Sequence, residues 1–317
     1  MLLISIEDLT PDQLDTISTY LPQDMLVYHV TSPEEIVTIP YQDVQIWITY
    51  GEDVTEEWLE HMPNLLWIQL FQAGVEHLPL GKINNRSILL TNMKGIHSIP
   101  MTEYVLSMMF YSAGNLSNFE QLQKKRYWDE AAQFQELHRK SVTIFGAGTI
   151  GVDIARALKS LGLHVAGVNT SGVKKEPFDE MYQLNERFKP LAESDFVILL
   201  MPITDDTKCC IGYEELNIMK ESSCLINIGR GPLIDDKALI DALEHKKIGQ
   251  AILDVFVEEP LPNDHAYWYL PNVMVTPHVA AKSPMYLDRC IEQLADNIKA
   301  YVNNTTMKYV VNVQQGY

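Results

Sequence analysis

The sequence predicts an α/β chain with two parallel sheets, one of them doubly wound, and three observations carry that expectation. Short β-rich runs alternate with amphipathic segments over most of the length. A glycine-rich turn, FGAGTIG over 145–151, stands mid-chain between a strand-like run and an apolar helix face. At 317 residues, 46% of them hydrophobic, the chain is long for one core and sufficient for two.

Taken in order, LLISI (2–6), MLVYHV (25–30), QIWITY (45–50), LLWIQL (65–70) and SILLT (87–91) read as strands. A helix is expected from Pro11 to Leu21. Leu14, Ile17 and Leu21 fall at helical spacing, Thr10 suits the N-cap, Pro11 suits N1, and Pro22 stops it. Strands alternating with helices argue for a parallel sheet covered on both faces. One long helix is expected over Met101–Gln123, crossing from the first domain to the second. Six more strands follow: 141–145, 163–168, 196–201, 224–228, 250–255 and 273–276. Six suit the doubly wound dinucleotide-binding fold. The segment from Met285 to Val302 reads as a helix through Leu287, Ile291, Leu294, Ile298 and Tyr301. It is expected to pack back on the N-terminal domain. The expected fold class is therefore α/β: a Rossmann-type doubly wound sheet plus a second, flavodoxin-like substrate domain. The expected bounds are 1–97 for the substrate domain, 98–280 for the dinucleotide domain and 281–317 for the returning helix.

The formal charge of −18 argues against a nucleic-acid or anionic-membrane surface. Any anion must be held locally. The four cysteines, Cys209, Cys210, Cys224 and Cys290, have no metal or redox spacing and read as reduced thiols of a cytoplasmic protein. No metal site is expected. The N-terminus has no basic export signal, and no apolar run approaches the roughly 18 residues of a membrane span.

In the glycine turn, Gly146 permits the tight bend, Gly148 lets a pyrophosphate approach the backbone, and Gly151 allows close helix–strand packing. Ile150, Ile154, Leu158 and Leu161 supply the helix face that follows. The N–H groups of Thr149 and Ile150 then face the phosphates at a helix N-terminus. At the end of the next strand stand Asn169, Thr170 and Ser171, with no acid to bond the adenosine ribose and repel a 2′-phosphate; Lys174 and Lys175 lie close by. The coenzyme is NAD(H) or NADP(H), with NADP(H) slightly favoured.

Three further residues follow strand-like runs: Arg230 in NIGRG, Glu259 in DVFVEEP and His278 in TPH. The carboxyl ends of parallel strands line one crevice, so residues distant in sequence converge there. Arg230 can grip a carboxylate and polarise a keto oxygen. His278 can donate a proton to the forming alkoxide, and Glu259 can orient it. A turn residue, a solvated acidic loop and a loop histidine are the plainer readings of each alone; together, downstream of a cofactor turn, they point to reduction of a 2-keto acid.

The segment CLINIGRGPLIDDKALIDALEHKKIGQAILDVFVEEPLP…LPNVMVTPHVA resembles the D-isomer-specific 2-hydroxyacid dehydrogenase family, as do LLWIQLFQAGVEHLP, MTEYVLSMMF, FGAGTIG and LLMPITDDTKCCIG. The resemblance covers most of the chain. It implies that Arg230 binds substrate and that Glu259 and His278 form the acid–base pair. By the same resemblance, Asp254 and the Ile228 carbonyl contact the nicotinamide, Pro202 and Thr207 line the cofactor, and the backbone at Ala73, Gly74 and Val75 binds the substrate carboxylate. That last role has independent sense, since successive N–H groups in a glycine-containing turn form an anion nest. A homodimer through the Met101–Gln123 helix is implied too, with Trp128 reaching toward the partner. The helix itself agrees, because Val105, Leu106, Met108, Met109 and Phe110 spread too widely for one buried face.

The chain departs from the pattern at Ala281 and Lys282, where the family commonly has a glycine and a small residue; a narrower site is expected. Phosphoglycerate is disfavoured, since residues 1–95 hold only Lys82, Arg86 and Lys94 as cations. A formate dehydrogenase typically has glutamine where Glu259 stands. Small acids such as glyoxylate, hydroxypyruvate or a branched 2-keto acid remain as substrates. Trp47, Tyr50, Trp67 and Phe71 are candidates for the pocket, with core packing the better reading for most of them. A nucleotide-sensing binding protein or corepressor on the same fold is the alternative.

Overall fold

Alternation of apolar side chains between two faces is what gives each sheet of this protein its two cores. The computed structural model describes residues 1–75 and 77–313. It divides into two units, one of Met1–Ile96 with the segment from Ser283 onward, the other His97–Lys282.

The first unit runs β1 (Leu2–Ser5), α1 (Pro11–Thr19), β2 (Val27–His29), β3 (Ile46–Thr49), α2 (Glu56–His61), β4 (Trp67–Leu70), α3 (Leu80–Asn85) and β5 (Leu89–Thr91). Its strands lie in the order β2-β1-β3-β4-β5, all parallel, as in flavodoxin-like sheets. Leu3, Trp47, Ile68 and Leu90 point to one face; Leu2, Ile4, Ile46, Ile48 and Trp67 point to the other. Thr10 caps α1 in a capping box with Gln13, and Pro11 occupies N1. Trp47, Trp67 and Phe71 are fully buried and belong to the core, whereas Tyr50 is half-buried.

The second unit holds α4 (Ser98–Ala113), α5 (Leu116–Lys125), β6 (Ser141–Phe145), α6 (Thr149–Ser160), β7 (His164–Asn169), β8 (Glu180–Gln183), α7 (Phe188–Glu193), β9 (Phe196–Leu199), α8 (Tyr213–Ile218), β10 (Cys224–Asn227), α9 (Asp236–Glu244), β11 (Gln250–Leu253) and β12 (Val273–Val275). The sheet order is β12-β11-β10-β9-β6-β7-β8, all parallel. The order reverses between β6 and β9, the switch point where doubly wound folds bind ligands. Among the described residues the sheet has seven strands where six were expected. The extra one, β8, is the polar edge segment EMYQ, which carries no apolar run to announce it.

The single helix expected over Met101–Gln123 is two. Gly114 ends α4, and Asn115, in the left-handed region at φ 54°, turns the chain into α5. Nor does α4 cross between domains, since it begins inside the second unit. Met101, Val105, Met109 and Ala113 form its buried stripe, packed with Ile144, Ile154 and Leu158. Leu161, assigned to the apolar face of α6, is 37% exposed because the helix ends at Ser160 and Gly162 turns the chain at φ 80°.

The chain returns to the first unit through α10 (Tyr286–Val302), which buries Cys290, Ile291, Leu294 and Ile298 against Leu2, Ile4 and Ile17. A polar network under this face fixes its register. Gln69 Oε1 accepts from Thr91 Oγ1 at 2.8 Å and from Asn297 Nδ2 at 3.1 Å, while Asn297 Oδ1 accepts the Lys308 N–H at 2.9 Å. No helix among the described residues is long and apolar enough to cross a membrane. Replacing Asn297 with alanine leaves the buried Gln69 Oε1 without one of its two donors and the Lys308 N–H without this acceptor. We expect a loss of about 1–3 kcal/mol of unfolding free energy in urea titrations; a value within about 0.5 kcal/mol of the parent would show that the network does not anchor α10.

Candidate active site

Seven parallel strands deliver their carboxyl ends to one edge of the second unit, and nearly every residue singled out from the sequence lies there. After β6, Gly146 adopts φ 110° and its N–H donates to the Val168 carbonyl at 2.9 Å. A Cβ on Gly151 would lie 2.1 Å from the Gly146 carbonyl oxygen, so no larger residue fits where α6 meets the turn. Around Gly148 the corresponding position is open, with nothing within 4 Å. Gly148 is also the N-cap of α6, which puts the N–H groups of Thr149 and Ile150 in its first turn. A turn held by two glycines that no Cβ could replace, open at the third, fits a dinucleotide pyrophosphate at a helix N-terminus.

At the end of β7, Asn169 does something the sequence did not reveal. Its Oδ1 accepts from the Ser171 N–H at 3.1 Å, the Ser171 hydroxyl at 3.3 Å and the Gly172 N–H at 2.7 Å. That oxygen shapes the turn and leaves Thr170, Ser171 and Lys174 exposed. Lys175 reaches back so that Nζ donates to the Ala147 carbonyl at 2.7 Å, placing a cation beside the glycine turn. After β9, Thr207 Oγ1 donates to the Pro202 carbonyl at 2.8 Å and accepts the Thr204 N–H at 2.8 Å, closing that loop.

The three reactive side chains follow the adjacent strands β10, β11 and β12. Ile228 is buried at the end of β10. Next to it, buried Asn227 shapes the turn that carries Arg230: its Nδ2 donates to the Arg230 carbonyl at 3.0 Å, and its Oδ1 accepts the Gly229 N–H at 3.2 Å. The Arg230 guanidinium is exposed, with Nη1 donating to the Gly229 carbonyl at 2.7 Å. A Cβ on Gly231 would fall 1.9 Å from the Phe256 carbonyl carbon, so this turn is pressed against the loop that carries Glu259.

Glu259 divides its carboxylate between two donors. Oε1 accepts the Phe256 N–H at 2.9 Å, and Oε2 lies 2.7 Å from His278 Nδ1. Burial pushes the Glu259 carboxyl up, but the bonds from His278 and from the Phe256 N–H, with the charges of His278 and Arg230, outweigh it and hold the group below the usual carboxylate range. With Nδ1 committed to Glu259, the ring is oriented with Nε2 as its other face. His278 itself sits at φ 51°, in the left-handed region. Asp254, 1% exposed, directs both carboxylate oxygens into this loop, accepting the Val279 N–H and the Ala280 N–H, each at 2.9 Å, and the Thr276 hydroxyl at 2.5 Å.

Ala73, Gly74 and Val75 belong to the first unit, in the turn after β4. There the Asn92 Nδ2 donates to the Ala73 carbonyl at 2.6 Å and the Met93 N–H to the Gln72 carbonyl at 3.0 Å, so the segment just after β5 holds this turn from one side. Among the described residues no group of His, Cys, Asp and Glu is arranged to hold a metal ion. Asn227, Asn92 and Thr276 were not apparent from the sequence as site residues, because a single polar residue in an apolar run carries no pattern of its own.

A family model for the NAD-binding domain of D-isomer-specific 2-hydroxyacid dehydrogenases matches residues 106–280. A glycerate dehydrogenase of Methylorubrum extorquens is 30% identical over 292 residues, covering 89% of this chain and 90% of its own. A glyoxylate reductase of Thermococcus gammatolerans is 29% identical over 293 residues, covering 88% and 86%. The crystal structure of a D-isomer-specific 2-hydroxyacid dehydrogenase family protein from Aeromonas salmonicida matches with a TM-score of 0.82 at 27% identity, covering 98% of each chain.

Proposed function

The chain belongs to the D-isomer-specific 2-hydroxyacid dehydrogenase family, and we propose that it works as a reductase of small 2-keto acids of the glyoxylate or hydroxypyruvate kind. It is an NAD(P)-dependent oxidoreductase that transfers hydride between the coenzyme and a 2-keto or 2-hydroxy acid. The observation that carries the reading of the site is the 2.7 Å contact of Glu259 with His278 Nδ1, on the strand ends next to Arg230.

The bound nicotinamide supplies the hydride. The glycine turn and the N–H groups of Thr149 and Ile150 would hold the pyrophosphate, with Pro202 and Thr207 lining the coenzyme site. The Ile228 carbonyl and the Asp254 Oδ2, which has one protein donor in Ala280 and a second lone pair, would hold the carboxamide. Arg230 grips the keto acid and draws charge onto the carbonyl oxygen. His278 Nε2 gives a proton to that oxygen as the alkoxide forms, and Glu259 stabilises the imidazolium beforehand. In the first unit, the turn at Ala73, Gly74 and Val75 is assigned to a substrate carboxylate.

For the coenzyme we favour NADP(H). No acid stands at the end of β7, Asn169 spends its oxygen on its own turn, and Thr170, Ser171, Lys174 and Lys175 offer donors and charge to a 2′-phosphate. A cytoplasmic setting agrees with the four free thiols. A second copy of the chain is expected to cover the exposed aromatics on α4 and in the segment after α5: Phe110, Tyr127, Phe134 and Trp128, the last 86% exposed.

The function is tested by following NADH and NADPH oxidation with a panel of 2-keto acids. A small unphosphorylated acid should be turned over fastest, with NADPH at least matching NADH; no turnover of any keto acid would sink the reading and favour a nucleotide-sensing binder. In the same assay Arg230→Ala should lose about 3–5 kcal/mol of transition-state stabilisation in kcat/KM, and Arg230→Lys should recover only part of it. Parental turnover in either variant would remove Arg230 from the site. Glu259→Gln takes away the anion that favours the imidazolium, so the alkaline limb of the reduction rate should move to lower pH while activity persists in acid. A limb that stayed put or rose would contradict the pairing. Light scattering at micromolar concentration should give the mass of a dimer, and a monomeric mass would refute the covered aromatic surface.

A further inference from the structure

We propose that Tyr104 is a positioning residue for the acid–base histidine, its phenol holding Thr276 and, through it, the Asp254 carboxylate that shapes the backbone at His278. This rests on the reading of His278 given above. Tyr104 stands on α4, 172 positions before Thr276, and its Oη lies 2.6 Å from the Thr276 Oγ1. Thr276 donates its proton to Asp254 Oδ1 at 2.5 Å, and an ionised carboxylate has none to return. The direction is therefore fixed, from Tyr104 to Thr276 to Asp254.

At the far end of this relay the Asp254 carboxylate takes the Val279 and Ala280 N–H groups, and the Asp254 main-chain carbonyl takes the His278 N–H at 2.9 Å. These bonds surround a histidine whose φ of 51° is one that a non-glycine residue keeps only when its surroundings impose it. Burial pushes the Tyr104 phenol up to about 12; the Thr276 bond works against this and the Asp254 charge adds to it. Tyr104 is thus a neutral donor near neutral pH. Without the phenol, Thr276 has one fewer reason to hold the rotamer that serves Asp254. The loop then loosens about the one side chain whose placement sets the proton transfer, and even small displacements at a reacting centre are costly.

The test uses the full-length enzyme with Tyr104→Phe, Thr276→Val, Thr276→Ser and the double variant Tyr104→Phe/Thr276→Val. Steady-state rates are measured beside coenzyme affinity from NAD(P)H fluorescence titration. Tyr104→Phe should lower kcat about tenfold, as the loss of one buried hydrogen bond implies, with the keto-acid KM and coenzyme Kd within about twofold of the parent. Thr276→Ser, which keeps the hydroxyl, should retain parental kcat. The double variant should be no slower than Thr276→Val alone, because both act through one relay. In a His278→Gln background Tyr104→Phe should change nothing further. Parental kcat in Tyr104→Phe, or losses that multiply in the double variant, would overturn the relay while leaving His278 in its role. Parental turnover in His278→Gln alone would instead overturn the reading of His278 and the relay with it.

Discussion

A carboxylate taken almost wholly out of water must find its partners inside the protein, and Asp254 finds them in the backbone 25 and 26 residues further along the chain. Leaving such a group unpaired costs more than a typical hydrogen bond returns, so the Val279 and Ala280 N–H groups are drawn to it and the chain between Thr276 and Ala280 has little choice of path. The left-handed conformation of His278 is the consequence. Strain at one residue is offset by satisfaction of a buried charge at another. The imidazole is presented by backbone whose shape is set from beneath, and only its Nδ1 is tuned from the side, by Glu259.

The same economy of space governs the arginine. Its turn can lie against the Phe256–Val257 backbone only because Gly231 has no side chain, and that contact joins the β10 end to the β11 end. Asn227 completes the turn by serving both the Arg230 carbonyl and the Gly229 N–H from a position inside the sheet. The guanidinium is exposed on a turn fixed at its base by Asn227, which suits a group that meets its anion from solvent. In a protein of charge −18 this local cation does what a general electrostatic field cannot.

Much of the fold was legible because its central strands are fully buried, and buried parallel strands are written as near-continuous apolar runs. The helix over residues 11–19 was legible through its start, since Thr10 suits an N-cap and Pro11 the first helical position; the structure adds Gln13, which closes the capping box. What stayed hidden lacked such a signal. β8 is a polar edge strand whose pairing with β7 is made by backbone alone. The break at Asn115 depends on one left-handed residue within an otherwise helical stretch, and asparagine there reads equally well as an exposed helical position. At the site, glycines and charged residues at strand ends stood out against apolar neighbours. Asn169 was visible as a position, but the use of its oxygen within its own turn is a matter of geometry that no spacing encodes. Tyr104 was invisible for a further reason: its partner is far along the chain, and a tyrosine on an apolar helix reads as packing.

The lowered Glu259 carboxyl bears on when the pair can work. Because the folded value lies below the unfolded one, the stability contributed by the ionised carboxylate is present above the ordinary carboxylate range and is lost only as pH falls through the lowered value. Over that range Glu259 is an anion that holds the imidazolium reduction needs and does not compete for its proton. Arg230 contributes twice, as the cation that meets the substrate and as one of the charges that keep Glu259 ionised. The grip on the substrate and the readiness of the acid are thus coupled through a single guanidinium, so a change at Arg230 reaches the proton transfer even where it leaves the histidine untouched.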